Sequence, residues 1–526
     1  MDALTLLLVG AGVVVCVILL GYIYATWTHD MFKLMGIPAP EPGLLGIVTR
    51  YKTEGLAGCD QRLIKEHGRV VGVFHGRIPS LLVSDPAMIK QICVKDFSNF
   101  VNRSTFGPVP KIVMDCIAEI YDEHWKFMRC VLSPTFSTGK LKQMMVLIER
   151  CTQLLVRNVD KHAGEKKNIE LKHLMGCYTM DVIANTGFSI DLDSQSNSDN
   201  VFVTYCRKAM KLTFPFIFLV TLLFPFTKSV FEKVDFQILD TDKDKAKFRS
   251  MIKQVIEDRK NNPDSGHGDI LQAMLDTHKE ESARDADDDS DEDTETTLDF
   301  KYFKKRGLTN YEIFCNSHIF LLAGYDTTSN ALTFTAYLLA KHPEIQERLY
   351  QSIRTHIGDK KPTYAEVTKL QYLENVFLET LRLYPPATRI TRVPGKSTTI
   401  NGYHIPAGLP IIIPVYAIQH DPEFWSDPEK FDPDRFLPEN KHELHNYMWM
   451  PFGVGPRNCL GMRLALLEAK MAIVALVQNF RFVVSPETEA SVKLEKGGFV
   501  RPENNLYIGV ERREQTTLQS STQRHI

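Results

Sequence analysis

Phe452-Gly453-Val454-Gly455-Pro456-Arg457-Asn458-Cys459-Leu460-Gly461 is a glycine-punctuated loop that delivers one cysteine to the start of an apolar helix. Gly453 and Gly455 permit positive φ and put no side chain on the inner surface of the loop, and Pro456 stiffens its approach. Such a loop can press its backbone against a flat group. Downstream, Met462, Leu464, Leu466, Leu467, Met471, Val474 and Leu476 recur at helical spacing. Cys459 therefore sits near a helix N-terminus, where the dipole and free amide N–H groups favour a thiolate. From these residues alone two readings stand: a buried free thiol beside a turn, or a thiolate that ligates a metal.

Phe452, the two glycines, Arg457 and Cys459 at these fixed offsets resemble the haem-binding signature of the cytochrome P450 family. The resemblance implies that Cys459 ligates the iron of haem b, with Phe452 and Arg457 against the cofactor. A thiolate in that place pushes electron density to the iron and favours O–O cleavage. The implied fold is mainly α with a small β component, a single haem domain behind an N-terminal transmembrane helix.

Composition sets the compartment. The chain has 526 residues, 44% hydrophobic, and a formal net charge of -2. It has no basic block, so nucleic acid is excluded as a partner. Ten cysteines are scattered without a CxxC pair, as expected in a reducing compartment. Leu4 to Tyr24 is apolar and uncharged, and about 21 residues at ~1.5 Å rise cross the ~30 Å hydrocarbon layer. Lys33, Arg50 and Lys52 follow that span while only Asp2 precedes it, so the positive-inside rule leaves the C-terminal bulk in the cytosol. The expected layout is an anchor at 1–27, a proline-rich linker at 28–43, the haem domain at 44–512 and a polar tail at 513–526. An acidic, disordered loop is expected at about 280–300, around Asp285 to Glu295 with Ser290 among the acids.

Within the domain, Val70 to Phe74 and Ser80 to Val83 predict a hairpin, and Asn401-Gly402 marks a second. Trp125 and Arg129, four apart, share a helical face. Their W-x-x-x-R spacing resembles the family's propionate-binding helix, and Arg392 and Arg457 are further candidates because a guanidinium fork suits a carboxylate. Leu212 to Phe226, with five phenylalanines and two prolines, reads either as core or as a roof segment dipping into the membrane surface. A long helix is predicted from Thr309, with Glu312 completing a capping box, to about Lys341 before His342-Pro343. Near its middle, Ala323-Gly324-Tyr325-Asp326-Thr327-Thr328 breaks helix propensity, as functional sites do. Gly324 is expected to open space beside Ala323 and Thr327. The stretch resembles the family's acid-alcohol motif, which implies that Asp326 relays protons and Thr327 orders hydrogen bonds on the oxygen side. A helix kink through Thr back-bonding is the plain alternative, and the two are compatible. Glu379-x-x-Arg382 resembles the family's E-x-x-R. Its network is completed by Arg435 of Pro433-Asp434-Arg435-Phe436, although Asp434 departs from the family's P-E-R-F.

These motifs run in family order over nearly the whole chain. The wording AGYDTT, GPRNCLGMR and Asn401-Gly402 with Pro406 is most similar to the animal microsomal family-3 clan. That likeness implies a monooxygenase of the endoplasmic reticulum membrane. It would hydroxylate or epoxidise steroids, fatty acids or xenobiotics with O₂ and with NADPH-derived electrons from a flavoprotein reductase, and cytochrome b5 is a further implied partner. Lys126, Lys430, Arg463 and Lys470 are candidates to face the reductase. The pocket implied by resemblance, Phe106, Phe320, Ala323, Ala387, Ile390 and Phe499, is apolar and suits a lipophilic ligand. Two alternatives stand beside this reading. Tyr384-Pro385-Pro386-Ala387 and Leu466-Leu467-Glu468-Ala469-Lys470 look somewhat like thromboxane synthase, an endoperoxide isomerase that needs no proton relay. A non-catalytic haem-dependent binding protein would tolerate the loss of Asp326 and Thr327, yet both are present.

Overall fold

The computed structural model describes residues 3–107, 109–197, 200–209, 216–233, 243–262, 268–278, 300–440 and 447–514. The acidic stretch with Ser290, residues 212–215 and the tail from 515 onward lie outside the described residues.

Ala3–Thr26 is an uncharged helix whose leucines, valines and isoleucines are exposed. Among the described residues it belongs to the one helical segment long and apolar enough to cross a membrane. Residues 28–37, the first part of the expected linker, are packed on the domain. Met31–Leu34 is a short helix whose Phe32 is fully buried against Phe74, ring centroids 5.0 Å apart. Gly72 makes room for that ring, since a Cβ there would lie 2.2 Å from Phe32 Cγ. Arg77 lies over the Tyr24 ring at 3.8 Å, and Tyr24 stacks on Phe224 at 5.7 Å. Thr28 Oγ1 donates to the Arg77 carbonyl at 2.7 Å. Pro38–Gly43 carries neither helix nor strand, and the Pro38 carbonyl accepts from Gly72 N at 2.8 Å.

The first hairpin is Val70–His75 with Ile78–Val83, antiparallel from Val70↔Val83 to His75↔Ile78. Ile411–Ile413 adds to it in parallel, and Ile390–Arg392 pairs antiparallel to Ile411–Ile413. The second hairpin, Thr398–Ile400 with Tyr403–Ile405, turns on Asn401 (φ 48°) and Gly402 (φ 82°), the left-handed pair that a type I′ turn requires. Helices make up most of the rest. The long helix, Asn310–Lys341, starts on the Thr309–Glu312 capping box: Glu312 N–H donates to Thr309 Oγ1 (3.1 Å) and Thr309 N–H to Glu312 Oε2 (2.8 Å). Its 32 residues span about 48 Å. It crosses the helix Leu171–Phe188 at Gly324, where a Cβ would lie 2.7 Å from Ile183 Cγ1. The expected space beside Gly324 is thus taken by the neighbouring helix, and the glycine serves close packing.

Candidate active site

The cysteine loop is closed by its own backbone. Cys459 N–H donates to the Phe452 carbonyl at 2.8 Å, Gly453 N–H to Met450 at 2.9 Å and Asn458 N–H to Gly455 at 3.1 Å. Gly453 (φ 73°) and Gly455 (φ 77°) are both left-handed. The missing side chain of Gly455 faces the Cys93 carbonyl, only 1.9 Å from where a Cβ would stand, so this glycine answers a protein contact. Helix Met462–Asn479 starts three residues after Cys459. Cys459 presents an accessible thiol from deep within the fold. Burial pushes the thiol up, while the N–H groups of Gly461 and Met462 and the charges of Arg129 and Arg103 pull it down. The net direction is upward, so the helix terminus alone does not make a thiolate. Coordination by a metal ion would deprotonate the thiol outright.

Around this loop stand four arginines, none ion-paired among the described residues. Arg129, on helix Asp122–Leu132 with the buried Trp125, clamps Asn458 through its carbonyl and Oδ1, both at 2.9 Å. Arg457 is buried over the Trp125 ring (5.0 Å) and donates to the carbonyls of Val101, Ala118 and Ile120. Arg392 is buried, donates to the carbonyls of Thr391 and Val454 and lies against the Cys93 thiol. Arg103, which no sequence motif marked, donates to the carbonyls of Ala118 and Arg457. The Nε atoms of Arg392 and Arg457 are buried without a partner. Burial, with Arg103 and Arg392 nearby, pushes Arg457 down to about 9. Burial likewise lowers Arg129 and Arg392. Glu119, a carboxyl that interacts with Arg103 and Arg457, is itself pushed up by burial. Concentrated cation with idle donors, beside an accessible thiol, fits a cofactor whose edge carries two carboxylates, as haem b does.

On the long helix, Thr327 Oγ1 donates to the Ala323 carbonyl at 2.8 Å, so back-bonding is present, and Ala323 is exposed. Asp326 is buried. It accepts from Lys172 Nζ (2.9 Å), Arg501 Nε (2.9 Å) and Asn330 Nδ2 (3.1 Å), with Arg501 Nη2 at 2.8 Å. Burial pushes this carboxyl up, but Lys172 and Arg501 together outweigh it and hold Asp326 below the usual carboxylate range. Asp326 is thus a locked anion, with partners 154 and 175 residues away that no local pattern marks.

Glu379 and Arg382 are fully buried on helix Gln371–Leu383 and joined by two bonds, at 2.8 and 2.9 Å. Glu379 also accepts from Asp432 N–H at 3.1 Å, and Arg435 Nε lies 3.4 Å away. Asp434 stands apart, accepting from Arg348 at 2.8 Å on the surface, so its departure from the family's glutamate does not touch the network. Of the expected pocket residues, Ala387 and Phe499 are bridged side by side. Phe106 stacks on His75 at 4.1 Å, and Ser104 N–H donates to Thr391 Oγ1, which brings the Phe106 segment alongside Ile390. Phe320 is half-buried and sits three residues before Ala323 on the long helix. Arg501, which grips Asp326, lies over the Phe499 ring at 5.0 Å. Lys470, expected to face a reductase, is buried and 3.3 Å from Glu374, so it cannot.

Residues 38–510 match the family model described as Cytochrome P450. The chain is similar to mouse cytochrome P450 3A13 (38% identity over 499 residues, 94% of this chain and 95% of that one). Mouse cytochrome P450 3A11 is 39% identical over 498 residues, 94% of each chain. Human cytochrome P450 3A5 is 38% identical over 501 residues, 94% and 95% of the two chains. A family match across nearly all of a chain whose fold brings Cys459, Trp125 and the arginines together leaves one assignment: this chain belongs to the cytochrome P450 family, the haem-thiolate monooxygenases.

Proposed function

We propose that this monooxygenase inserts oxygen into steroid, fatty-acid or xenobiotic substrates at the Cys459 site, with Asp326 and Thr327 handling protons on the oxygen side. When bound, haem b supplies dioxygen activation, driven by NADPH electrons that arrive through a flavoprotein reductase. Cys459 would hold the iron, and Trp125, Arg129, Arg392, Phe452 and Arg457 would seat the cofactor, joined by Arg103. Glu379, Arg382 and Arg435 would brace the cysteine side without touching the chemistry. Phe106, Phe320, Ala323, Ala387, Ile390 and Phe499 would line an apolar pocket. The apolar helix Ala3–Thr26 supports an anchor in the endoplasmic reticulum membrane with the domain on the cytosolic side, where the reductase and cytochrome b5 would dock.

The observation that carries this reading is Asp326 locked between Lys172 and Arg501 beside Thr327. Desolvating three charges is costly, and an isomerase whose substrate brings its own O–O bond has no use for the arrangement. Thr327→Ala tests it in a reductase-reconstituted system, with NADPH oxidation and product measured across steroids, fatty acids and a prostaglandin endoperoxide. Product per NADPH should fall at least roughly tenfold while NADPH oxidation continues, the low end of what positioned proton transfer contributes. Unchanged coupling, with fast reductase-free turnover of the endoperoxide, would overturn the assignment in favour of the isomerase.

A further inference from the structure

Behind Phe106 runs a chain of buried polar side chains with no part in the functions above. Tyr51 and Asp60 come from helix Val48–His67, on either side of its break at Gly55 (φ 74°). His75 ends the first strand of the hairpin, and all three side chains are buried. Arg389, just before the strand Ile390–Arg392, grips Asp60 with both arms of its fork, Nε on Oδ2 at 2.6 Å and Nη2 on Oδ1. Its Nη2 also donates to Tyr51 Oη at 3.1 Å, and Tyr51 Oη lies 2.8 Å from His75 Nε2. On its other nitrogen His75 faces Ser80 Oγ at 3.4 Å, and its ring stacks on Phe106 at 4.1 Å with 20° between the planes.

The donors set the direction of this chain. Arg389 has no acceptor, so Tyr51 Oη accepts from it and the tyrosine proton is left for His75 Nε2. The imidazole proton then stands on Nδ1, towards Ser80 Oγ. Burial and the Arg389 charge lower His75 to about 3, so the ring stays neutral and keeps that tautomer. With both nitrogens engaged the imidazole cannot turn, and Phe106 stacks on a fixed face. The segment around Phe106 is pinned too: Lys228 Nζ donates to the Thr105 carbonyl at 3.2 Å, and a Cβ at Gly107 would lie 2.4 Å from Phe218 of helix Phe216–Leu223. The neighbouring core, with Val73, Leu82 and Ile412, is apolar, and an apolar side chain in the place of His75 would be buried without desolvation cost. What a satisfied polar network adds over such packing is a single defined arrangement.

We propose that His75 is a positioning residue of the substrate pocket: Arg389 and Tyr51 fix its ring, the ring fixes the angle of Phe106, and that angle decides which carbon of a bound substrate is oxidised. Arg389 stands two residues after Ala387 and next to Ile390, so one polar chain refers two walls of the pocket to each other. Without the stack the Phe106 ring is released to other rotamers, and a substrate lying against it shifts. The inference rests on the placement of Phe106, Ala387 and Ile390 in the pocket.

The test is a double-mutant cycle on the full-length holoprotein, with the reduced, CO-treated spectrum confirming a seated haem in every variant. Each variant, reconstituted with reductase, is given testosterone and, as a second probe, dodecanoate. The ratio of the two major hydroxylated products is read. His75→Ala deletes the stack. Tyr51→Phe deletes one oxygen and leaves the packing, so the proposal stays testable if His75→Ala does not fold. Each change should move the ratio about two- to tenfold for at least one probe, the bias that one aromatic pair provides. In a Phe106→Ala background neither should move it further, because the ring through which they act is gone. Unmoved ratios in both single variants, or equal shifts with and without Phe106, would overturn the proposal. Phe106→Ala alone separates the two levels. A ratio moved there but in neither His75→Ala nor Tyr51→Phe ends this inference and leaves the pocket standing, whereas an unmoved ratio takes Phe106 out of the pocket and ends both.

Discussion

Asp326→Asn removes the anion from a cluster whose two cations are then left facing one another. In the wild type, three short contacts from Lys172 and Arg501 converge on one carboxylate, and Asn330 adds a fourth bond. An asparagine oxygen can keep one of these at reduced strength. Taking one partner from a buried charged group costs about 3–5 kcal/mol. Lys172, with its side chain 20% exposed, recovers some hydration, so the low end of that range, about 3 kcal/mol, is expected here. Urea unfolding of the holoprotein, followed by haem absorbance, measures it without adding ions that would screen the charges. The pH dependence sharpens the test. The folded-state pKa of Asp326 lies below its unfolded value, so its contribution is complete above about pH 4 and is lost as pH falls through the depressed folded value. Between about pH 5 and about pH 7 the gap between wild type and Asp326→Asn must therefore stay level. A gap below about 1 kcal/mol, or one that shrinks across that interval, would refute the locked-anion account.

Cys459→Ala should abolish the red-shifted Soret band of the reduced, CO-treated protein; retention of the band would reassign the ligand. Protein lacking residues 1–27 should still float with liposomes, through Phe226 and Val230, which are 64% and 56% exposed; a wholly soluble product would mark the roof segment as core.

The parts of this molecule fixed by neighbours in sequence were legible before any coordinates. The Thr309–Glu312 box sets where the long helix starts, and Pro343 where it stops, because capping is a matter of three or four residues. Asn401-Gly402 marks its hairpin for the same reason. Trp125, Arg129 and Arg457 are marked in the sequence because their motifs repeat family spacings, and the fold brings them together. What stayed hidden was pairwise and distant. Arg103 has no motif, and only the fold sets it beside Arg457. Lys172 and Arg501, which hold Asp326 ionised, lie 154 and 175 residues away in the chain, and no local pattern marks them. Gly324 and Gly455 were read for the space they leave, whereas Ile183 and the Cys93 carbonyl fill it. Lys470 looked like surface because charged side chains usually are, and Glu374 was the missing fact.

The packed stretch between the apolar helix and the first hairpin carries a mechanical consequence. Tyr24 held by Arg77 and Phe224, Thr28 bonded to Arg77 and Phe32 sunk beside Phe74 leave the chain no swivel where the anchor meets the domain. A domain mounted in this way tilts only when its anchor tilts. Bilayer thickness, which sets helix tilt, would then aim the whole molecule like a mast stepped in a hull, turning a lipid property into the angle at which the domain meets an electron donor in the same membrane.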